Sequence, residues 1–421
     1  MASANNFMTS EPTLAWLGQF DPDDQAAAQA MLQNMMLVSR DAFADGLRKL
    51  ILHRLAAGEE PVGLYAEREV RHHKGIPNRL FKETKKKVKR AFGAGPAPVE
   101  ATKTYRPEVG SEGLVAQIVT ELCRERRGVL VSHPGPDAIR KYKIRRFIVL
   151  TDFIGSGKRV RDYLEAAWRV RSVRSWWSSR QRTGLSFEVI AYTATPAGRR
   201  LVEEHPCEPV VSVVAGSPTI DTLPDELRVS VRGICIRYDP VDHDPIESLG
   251  FAGGGALIAF AHGVPNNAPR ILHKRSSRWA PLFPARVTAG SRAHFADRRD
   301  PQAVVERLIR LRQRRLAAGP WLQGASAQAR GLFLTLAALG RGPRFDEVLS
   351  RKTGLTVLEV QRWVSFAVEQ GWVNSQRRLT DRGQAELAQA REGAKRKISL
   401  QPKREELYYP SSLREPCGPS S

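Results

Sequence analysis

The first part of the chain carries apolar residues at helical spacing. They lie at Leu14, Trp16 and Leu17, between Ala26 and Met36, and between Phe43 and Leu55. The aspartates of residues 21–24 suit a helix start, because a carboxylate there can accept hydrogen bonds from free backbone N–H groups. The pattern predicts a helical N-terminal region over residues 1–60.

Strand and helix patterns then alternate over residues 61–300. Short runs rich in β-branched and aromatic residues predict strands at 129–132, 147–152, 187–193, 210–215 and 256–261. Amphipathic stretches at 111–125 and 159–173 predict helices between some of these strands. Because strands that alternate with helices pair in parallel, we expect an α/β domain built on a mostly parallel, Rossmann-like sheet.

A different pattern occupies residues 326–392, where glycine and proline separate short amphipathic helices. A strand at 372–374 and a basic hairpin tip at 375–378 precede the last of these helices. The arginine-rich residues 301–325 are expected to form a basic linker before this domain, and residues 393–421 a flexible tail.

The order of these C-terminal helices and strands resembles winged helix-turn-helix domains. In such domains the third helix lies in the major groove of DNA, and the wing contacts the backbone or the minor groove. Thr356 would cap that third helix. The resemblance implies base contacts from Gln361 and Arg362 and phosphate contacts from Arg377 and Arg378. Winged helices also serve as protein docking modules, and this alternative stays open.

The chain is strongly basic. Its 421 residues include 66 Lys and Arg against 44 Asp and Glu, for a formal net charge of +22. Such an excess favours a polyanionic partner such as nucleic acid. The densest part is the run 68–90, which includes Lys85, Lys86 and Lys87. A run of this kind is either a solvated helix face or a surface that follows phosphates, and both interpretations stay open.

Two features of the composition narrow the class of protein further. No apolar run reaches membrane-spanning length, and the first residues lack the charged and apolar regions of a signal peptide, so we expect a cytoplasmic protein without membrane contact. The four cysteines are far apart and have no clustered histidine partners. The sequence therefore predicts neither a metal site nor a disulfide framework.

The most specific local pattern lies at residues 147–159. A short apolar run, read as a buried parallel strand, stops at an acid, and a small-residue loop leads into a helix. Gly155, Ser156 and Gly157 let the backbone approach an anion, and the free N–H groups at the helix start point at it. Asp152 at the strand tip suits a pair of ribose hydroxyls. Ligands of open α/β sheets bind just past such strand ends.

These residues resemble the PRPP-binding loop of the phosphoribosyltransferase superfamily, in which an apolar strand, two acids and a spacer precede a Thr/Ser-Gly-x-Thr turn. Asp152 matches the second acid, and Ser156 and Gly157 match the turn. Thr151 stands where the first acid is usual, and Arg159 replaces the final hydroxyl residue. These changes keep a phosphate site but weaken the case for turnover. A Walker A loop fails on spacing, because Asp152 occupies its first glycine position.

Two other loops supply candidate ligands for the same site. Residues 110–113 precede an amphipathic helix whose free N–H groups suit pyrophosphate, as in the first loop of the superfamily. The loop after the strand 256–261 offers His262, Asn266 and Asn267 for reading a base or ribose. Its alternative interpretation is a proline-braced turn whose asparagines bond the backbone.

The resemblance thus implies PRPP or a nucleotide as ligand, accompanied by Mg²⁺. It assigns catalytic roles to Asp152 and His262. The residues implied in PRPP or phosphate binding are Gly110, Ser111, Glu112, Gly113, Thr151, Asp152, Gly155, Ser156, Gly157, Lys158 and Arg159.

The whole pattern resembles the phosphoribosyltransferase-like proteins of bacterial conflict systems, some of which accompany retron reverse transcriptases as effectors. This implies an oligomeric, nucleic-acid-binding antiphage effector or accessory protein. Its expected partners are DNA or an RNA–DNA hybrid and a reverse transcriptase. A PRPP- or nucleotide-sensing transcription regulator with an inactive transferase domain is the rival hypothesis. An active transferase or nucleotide hydrolase is a third.

Overall fold

The computed structural model describes residues 7–55, 60–97, 111–241, 244–291, 295, 301–319 and 321–392. Its strands are β1 (Met36–Val38), β2 (Val62–Ala66), β3 (His72–His73), β4 (Ile76–Pro77), β5 (Lys82–Glu83), β6 (Ala91–Phe92), β7 (Leu130–Ser132), β8 (Arg146–Ile154), β9 (Ser186–Ala194), β10 (Val210–Gly216) and β11 (Ile258–Phe260). Its α-helices are α1 (Glu11–Leu17), α2 (Pro22–Gln33), α3 (Arg40–Leu55), α4 (Glu112–Glu125), α5 (Pro136–Lys141), α6 (Lys158–Trp168), α7 (Arg171–Ser178), α8 (Arg180–Thr183), α9 (Pro196–Glu203), α10 (Asp225–Arg237), α11 (Arg270–His273), α12 (Pro301–Arg310), α13 (Arg314–Ala317), α14 (Trp321–Gly324), α15 (Ala327–Leu339), α16 (Asp346–Thr353), α17 (Val357–Glu369) and α18 (Asp381–Glu392). Within these ranges, no helix is long and apolar enough to cross a membrane.

The α/β domain is built on a five-stranded parallel sheet in the order β10-β9-β8-β2-β7. The apolar side chains of β2, β8 and β9 are buried, which explains the unbroken hydrophobic runs in the sequence. When strands are numbered within the sheet, the order is 2-1-3-4-5, so the direction of winding reverses between β2 and β8. Ligands of such sheets bind in the crevice at the carboxyl ends of those two strands.

Most of the predicted strands of this sheet are confirmed. Strands β7 to β10 lie where the sequence places them, with ends shifted by at most two residues. The sequence prediction lacks β2, although β2 lies at the reversal point and every one of its residues is buried. Five residues between Pro61 and Glu67 are too few to show a period, and a strand buried on both faces shows no alternation.

The last predicted strand is present as β11, but it pairs outside the central sheet. It runs parallel to β1, with Val38 opposite Phe260. The helix predicted to continue to Met36 is wrong at its end: α2 stops at Gln33, and the N–H of Met36 donates to Leu257 at 2.8 Å. A long-range strand pairing therefore overrides the local helical pattern.

Helices α1 and α2 pack against apolar residues between Ile220 and Phe283 and against Phe295. The rings of Trp16 and Phe20 meet edge to face at 4.7 Å, and both contact Trp279, at 6.0 and 5.0 Å. The indole N–H of Trp16 also donates to the carbonyl of Ile271 at 3.2 Å. This aromatic core supports the loops that follow β11.

Residues 68–90 form two short hairpins, so the helix-face interpretation of this basic run is wrong. Strand β3 pairs with β4, and β5 pairs with β6. A helix is broken at the first turn, where Lys74 and Gly75 have φ angles of +51° and +75°. Phe81 and Ala91 are buried and fix the second hairpin against the sheet domain. The exposed lysines at the tip of this second hairpin are Lys85, Lys86 and Lys87.

The C-terminal helices follow the predicted winged-helix order. Ser326 caps α15 with its side chain, and Thr356 caps α17 in a reciprocal capping box with Glu359. Gly354, at φ +73°, ends α16 in the left-handed region. The wing closes through a bridge between Val373 and Leu379. The fold class predicted from the sequence, an α/β sheet domain followed by a winged helix, is confirmed.

Residues 301–325, assigned to a basic linker from their arginines, contain helices α12, α13 and α14. Their apolar side chains enter the same core as those of α15 to α18. The buried residues contributed by this segment are Val304, Leu308, Leu311, Leu316, Ala317 and Leu322. The C-terminal body of the structure therefore begins near residue 301.

The winged helix docks on β10, the edge strand of the central sheet. The N–H of Gly216 donates to the hydroxyl of Ser350 in α16 at 3.1 Å, and Arg199 of α9 forms an ion pair with Glu347. A Cβ on Gly216 would lie 2.0 Å from the carbonyl oxygen of Glu347. Only glycine permits this close approach, so the two domains share a tight interface.

Candidate functional site

A cleft of about 1100 Å³ opens at the carboxyl ends of β2 and β8, where the winding of the sheet reverses. Three loops singled out in the sequence line it. The predicted site residues on its wall are Ser111, Glu112, Gly113, Asp152, Gly155, Ser156, Gly157, Lys158, Arg159, His262, Asn266 and Asn267. Thr151 is buried at the end of β8, and Gly110 lies outside the described residues. The structure thus brings together segments that are more than 100 residues apart.

The loop between β8 and α6 is held by close backbone contacts. Gly157 has a φ of +78°, and a Cβ there would lie 2.4 Å from the carbonyl oxygen of Gly198. A Cβ on Gly198 would in turn lie 2.1 Å from the carbonyl oxygen of Gly155. The Thr195 hydroxyl donates to that Gly155 oxygen at 2.6 Å and accepts from the N–H of Gly198 at 2.9 Å. These contacts tie the loop to the amino end of α9.

The amino end of α6 faces the cleft and is suited to an anion. The first turn of α6 contains no acidic residue, so its free N–H groups and positive helix dipole have no carboxylate from that turn against them. The Lys158 side chain is exposed at this point. The Ser156 hydroxyl accepts from the N–H of Lys158 at 3.4 Å. Ser156, Gly157 and Lys158 are therefore the candidate anion-binding residues of this loop.

Arg159 does not extend freely into the cleft. Its Nε donates to Glu67 Oε1 at 3.2 Å, its Nη2 lies 3.1 Å from Glu67 Oε2, and it also pairs with Glu112. Thr151 donates its hydroxyl proton to Glu67 Oε2 at 3.2 Å. Thr151, which stands where the first acid is usual, thus donates a hydrogen bond to Glu67 at the end of the neighbouring strand β2.

Glu67 is the residue that sequence reasoning missed. It follows the last residue of β2 and is 4% exposed, and its N–H donates to the carbonyl of Leu150 at 2.7 Å. An acid directly after an apolar run is the same signal that identified Asp152. That signal was hidden because β2 itself carries no visible period.

The carboxylates of the cleft have perturbed acidities. Burial raises the pKa of Glu67 to about 7, although the positive charge of Arg159 opposes the rise. Partial burial also raises the pKa of Glu112. For Asp152, burial acts to raise the pKa, but His262, Ser111 and Arg159 together lower it on balance. At neutral pH Asp152 is therefore ionised, while Glu67 is close to its titration point.

His262 faces Asp152 across the cleft, with Nε2 at 3.8 Å from Asp152 Oδ2. Its ring stacks on Phe260 with centroids 4.9 Å apart and meets Phe43 edge to face at 4.9 Å. Both ring nitrogens are buried and have no hydrogen-bond partner. Buried polar atoms are normally satisfied, so His262 is a candidate for a hydrogen bond to a ligand in the cleft.

The two asparagines of the loop after β11 differ in their surroundings. Asn267 is buried, and its amide donates to the carbonyl of Phe251 at 2.9 Å. A Cβ on Gly155 would lie 1.9 Å from Asn267 Oδ1, so this side chain packs directly on the loop between β8 and α6. Asn266 is exposed on the cleft wall. The positions favour Asn266 for contact with a ligand and Asn267 for holding the loops together.

The predicted nucleic-acid residues lie on the winged helix and the second hairpin. Gln361 donates to Asp346 Oδ2 at 2.9 Å, and Arg377 donates to Asp346 Oδ1 at 2.5 Å. The guanidinium of Arg362 lies 5.0 Å from the ring centroid of Trp363, and Arg378 is exposed at the wing. Asp346 of α16 thus positions both the third helix and the wing.

A reversed-order parallel sheet, an acid-tipped strand and a glycine turn at a helix start define a phosphoribosyltransferase-like protein, joined here to a winged helix. Family comparisons agree with this class: residues 13–285 match the family described as PRTase-CE. Residues 333–415 match the family described as wHTH-PRTase associated. The chain therefore belongs to the PRTase-CE family. No solved structure matches the chain.

Proposed function

We propose that this protein is a nucleic-acid-binding antiphage effector or accessory protein with a pocket for PRPP or a related nucleotide. The proposed nucleic acid is DNA or the RNA–DNA hybrid of a retron, and the proposed partner is a reverse transcriptase. The proposal places the protein in the cytoplasm as an oligomer. The activity proposed is nucleotide binding, with catalysis at Asp152 and His262 if the ligand is turned over.

One observation carries the nucleotide part of this proposal. The three loops predicted separately from the sequence line one cleft at the reversal point of the sheet. A volume of about 1100 Å³ exceeds the need of a single phosphate and accommodates a ligand of nucleotide size. A purely structural strand-turn-helix would not require the distant loop at residues 262–267 to meet the phosphate turn.

Each group of the cleft has a role in this proposal. The backbone N–H groups after Ser156 and the ammonium of Lys158 bind a phosphate, and Asp152 accepts hydrogen bonds from ribose hydroxyls. His262 and Asn266 contact the base or ribose. In the part of the chain that the structure describes, no group of three or more His, Cys, Asp or Glu side chains is placed to hold a metal ion. In this proposal Mg²⁺ enters with the phosphates of the ligand.

Calorimetry with PRPP and Mg²⁺ tests the pocket. We expect saturable binding to the full chain, and we expect Asp152→Ala to weaken it by roughly 1.5–3 kcal/mol, the typical worth of a hydrogen bond to a charged group. Asp137→Ala is the matched control, because Asp137 pairs with Arg140 and is absent from the cleft wall. If no ribose 5-phosphate compound binds, the family resemblance extends to the fold only.

A second candidate, the nucleotide-sensing regulator, is favoured by the position of α9. Gly198 of this helix packs on the phosphate loop, and the next residue, Arg199, pairs with Glu347 of the winged helix. A shift of the loop on ligand binding would therefore reach the winged helix through a single helix. A regulator requires such a connection, whereas an effector can act without it.

Growth assays separate the two candidates. An effector should slow growth when expressed alone, Asp152→Ala or His262→Ala should restore growth, and Arg362→Ala should keep the toxicity but lose control by nucleic acid. A regulator should be harmless alone, and Arg362→Ala should disable its output, because base contacts carry about 1–3 kcal/mol of discrimination. Toxicity that never appears, with or without partner genes, contradicts the effector.

A further inference from the structure

Arg159, the cation in the loop between β8 and α6, already has two carboxylate partners within the protein. Arg159 is bonded through Nε and Nη2 to Glu67, and Nη2 also pairs with Glu112. The Arg159 side chain is 52% exposed and lines the cleft, whereas Glu67 lies behind it and is 4% exposed. A ligand that enters the cleft therefore contacts the guanidinium of Arg159, and the carboxylate of Glu67 lies behind it.

Charged groups from every neighbouring element face this pair. Carboxylates predominate: Glu112 comes from α4 and Asp152 from β8, and both act on Glu67 electrostatically. His262, on the loop after β11, faces Asp152. Further polar groups act on Glu67 or on its neighbours. They are Ser111 before α4, Thr151 on β8, Tyr163 on α6, and Arg68 and Glu69 in the loop of Glu67. Arg159 is thus the cation in direct contact with Glu67 and Glu112.

We propose that Glu67 is a specificity-determining residue, which holds Arg159 in the anion-free cleft and takes up one proton from solvent when a phosphate or pyrophosphate group takes Arg159 over. This inference rests on the proposed function, because it concerns the same cleft. The exchange breaks one ion pair and forms another. No covalent bond changes, and the single proton ends on a carboxylate oxygen of Glu67.

The physical reason is the cost of an unpaired buried charge. Once a phosphate attracts Arg159, Glu67 keeps its burial but loses its counterion, and a second negative charge lies nearby. A buried carboxylate in that position neutralises by protonation. The pKa of Glu67 is about 7 even with Arg159 in place. Glu67 can therefore take up a proton from solvent near neutral pH.

The sign of the pH dependence follows from this exchange. The ligand raises the pKa of Glu67, so anion affinity is highest when Glu67 is already protonated, below about pH 7. Above that pH, affinity falls by at most about tenfold per pH unit for one proton, until the pKa of the bound state is passed. A neutral ligand such as a nucleoside leaves Arg159 in place and shows no such fall. The cleft therefore discriminates in favour of anionic ligands most strongly on the acid side.

Calorimetry of the full chain with inorganic pyrophosphate at pH 6, 7 and 8 tests the inference. Each titration is repeated in two buffers of different ionisation enthalpy, which measures the proton uptake. We expect Glu67→Gln, the isosteric and permanently neutral side chain, to match the wild type at pH 6 and to bind about tenfold tighter at pH 8. Glu125→Gln, on α4 and paired with Arg48 outside the cleft, should behave as the wild type.

The comparison with Glu67→Gln also removes one confounding effect. Pyrophosphate itself titrates in this range, but that titration contributes equally to the wild type and to Glu67→Gln. Binding with the same proton uptake in both proteins overturns the inference and leaves the pocket intact. Weaker binding of Glu67→Gln at every pH also overturns it, because Glu67 would then act as an acceptor for the ligand. Failure of both proteins to bind pyrophosphate or PRPP at any pH overturns the phosphate pocket itself.

Discussion

The affinity of this protein for duplex nucleic acid is expected to fall by about 10³- to 10⁵-fold when salt rises from roughly 50 to 200 mM, if six to ten phosphates are contacted. The formal charge of +22 and the exposed hairpin tip supply that many cations. Binding measured over a salt series gives the slope of log K on log salt.

Replacing Lys85, Lys86 and Lys87 by Ala should reduce that slope by about 0.9 for each phosphate that these lysines bind, whatever the base sequence. The matched control replaces Lys274, Arg275 and Arg278 by Ala. These three exposed cations follow α11, and their loss lowers the net charge by the same amount. A slope that changes equally in both variants means that net charge, and not the hairpin, governs binding. An unchanged slope makes the tip a solvated surface only.

The parts of the site that could be predicted are those whose chemistry is contiguous in the sequence. Residues 152–159 pass from strand to turn to helix within one short segment, so an acid, a glycine turn and a helix start can be read together. The capping box of α17 and the glycines of the winged helix are equally local. Such features are fixed by backbone conformation, which neighbouring residues largely determine.

What could not be predicted depends on contacts across the chain. Thr151 reads as a missing acid until β2 is placed beside β8, because only that pairing brings Glu67 to its hydroxyl. Arg159 reads as a free phosphate ligand until Glu67 and Glu112 are seen to hold it. Asn267 reads as a ligand-binding amide until Gly155 is found packed against it. In each case the partner of a side chain changes, while its chemistry stays as expected.

Tertiary contacts also decide where predicted helices and strands were wrong. Residues 68–90 are basic enough for a helix face, yet the turn at Lys74 and Gly75 and the burial of Phe81 make them hairpins. Met36 has helical spacing with the residues before it, but its N–H is taken by Leu257. Local periodicity is a weak preference, and tertiary pairing decides when the two conflict.

Glu67→Gln is expected to stabilise the folded protein at high pH. In the folded protein the pKa of Glu67 is about 7, against an ordinary value of 4.5. As the pH rises, Glu67 therefore ionises in the unfolded chain before it ionises in the folded protein. The stability that is present below about pH 4.5 is lost as the pH rises to about 7. At pH 8 this loss is on the order of 3 kcal/mol. Glutamine carries no charge in the folded or the unfolded chain, so the Glu67→Gln variant does not show this loss of stability.

Urea unfolding of ligand-free protein between pH 5 and 8 measures this difference. Glu67→Gln should exceed the wild type in free energy of unfolding at pH 8, and the two should converge toward pH 5. Glu188→Gln in β9 is the informative contrast, because that buried carboxylate pairs with both Arg54 and Arg146 at 2.8 Å. Removing it leaves two cations without their partner, so stability should fall by about 3–5 kcal/mol. A Glu67→Gln variant that is destabilised like Glu188→Gln would mean that Arg159 alone balances the buried carboxylate, and that no proton is held ready at the cleft.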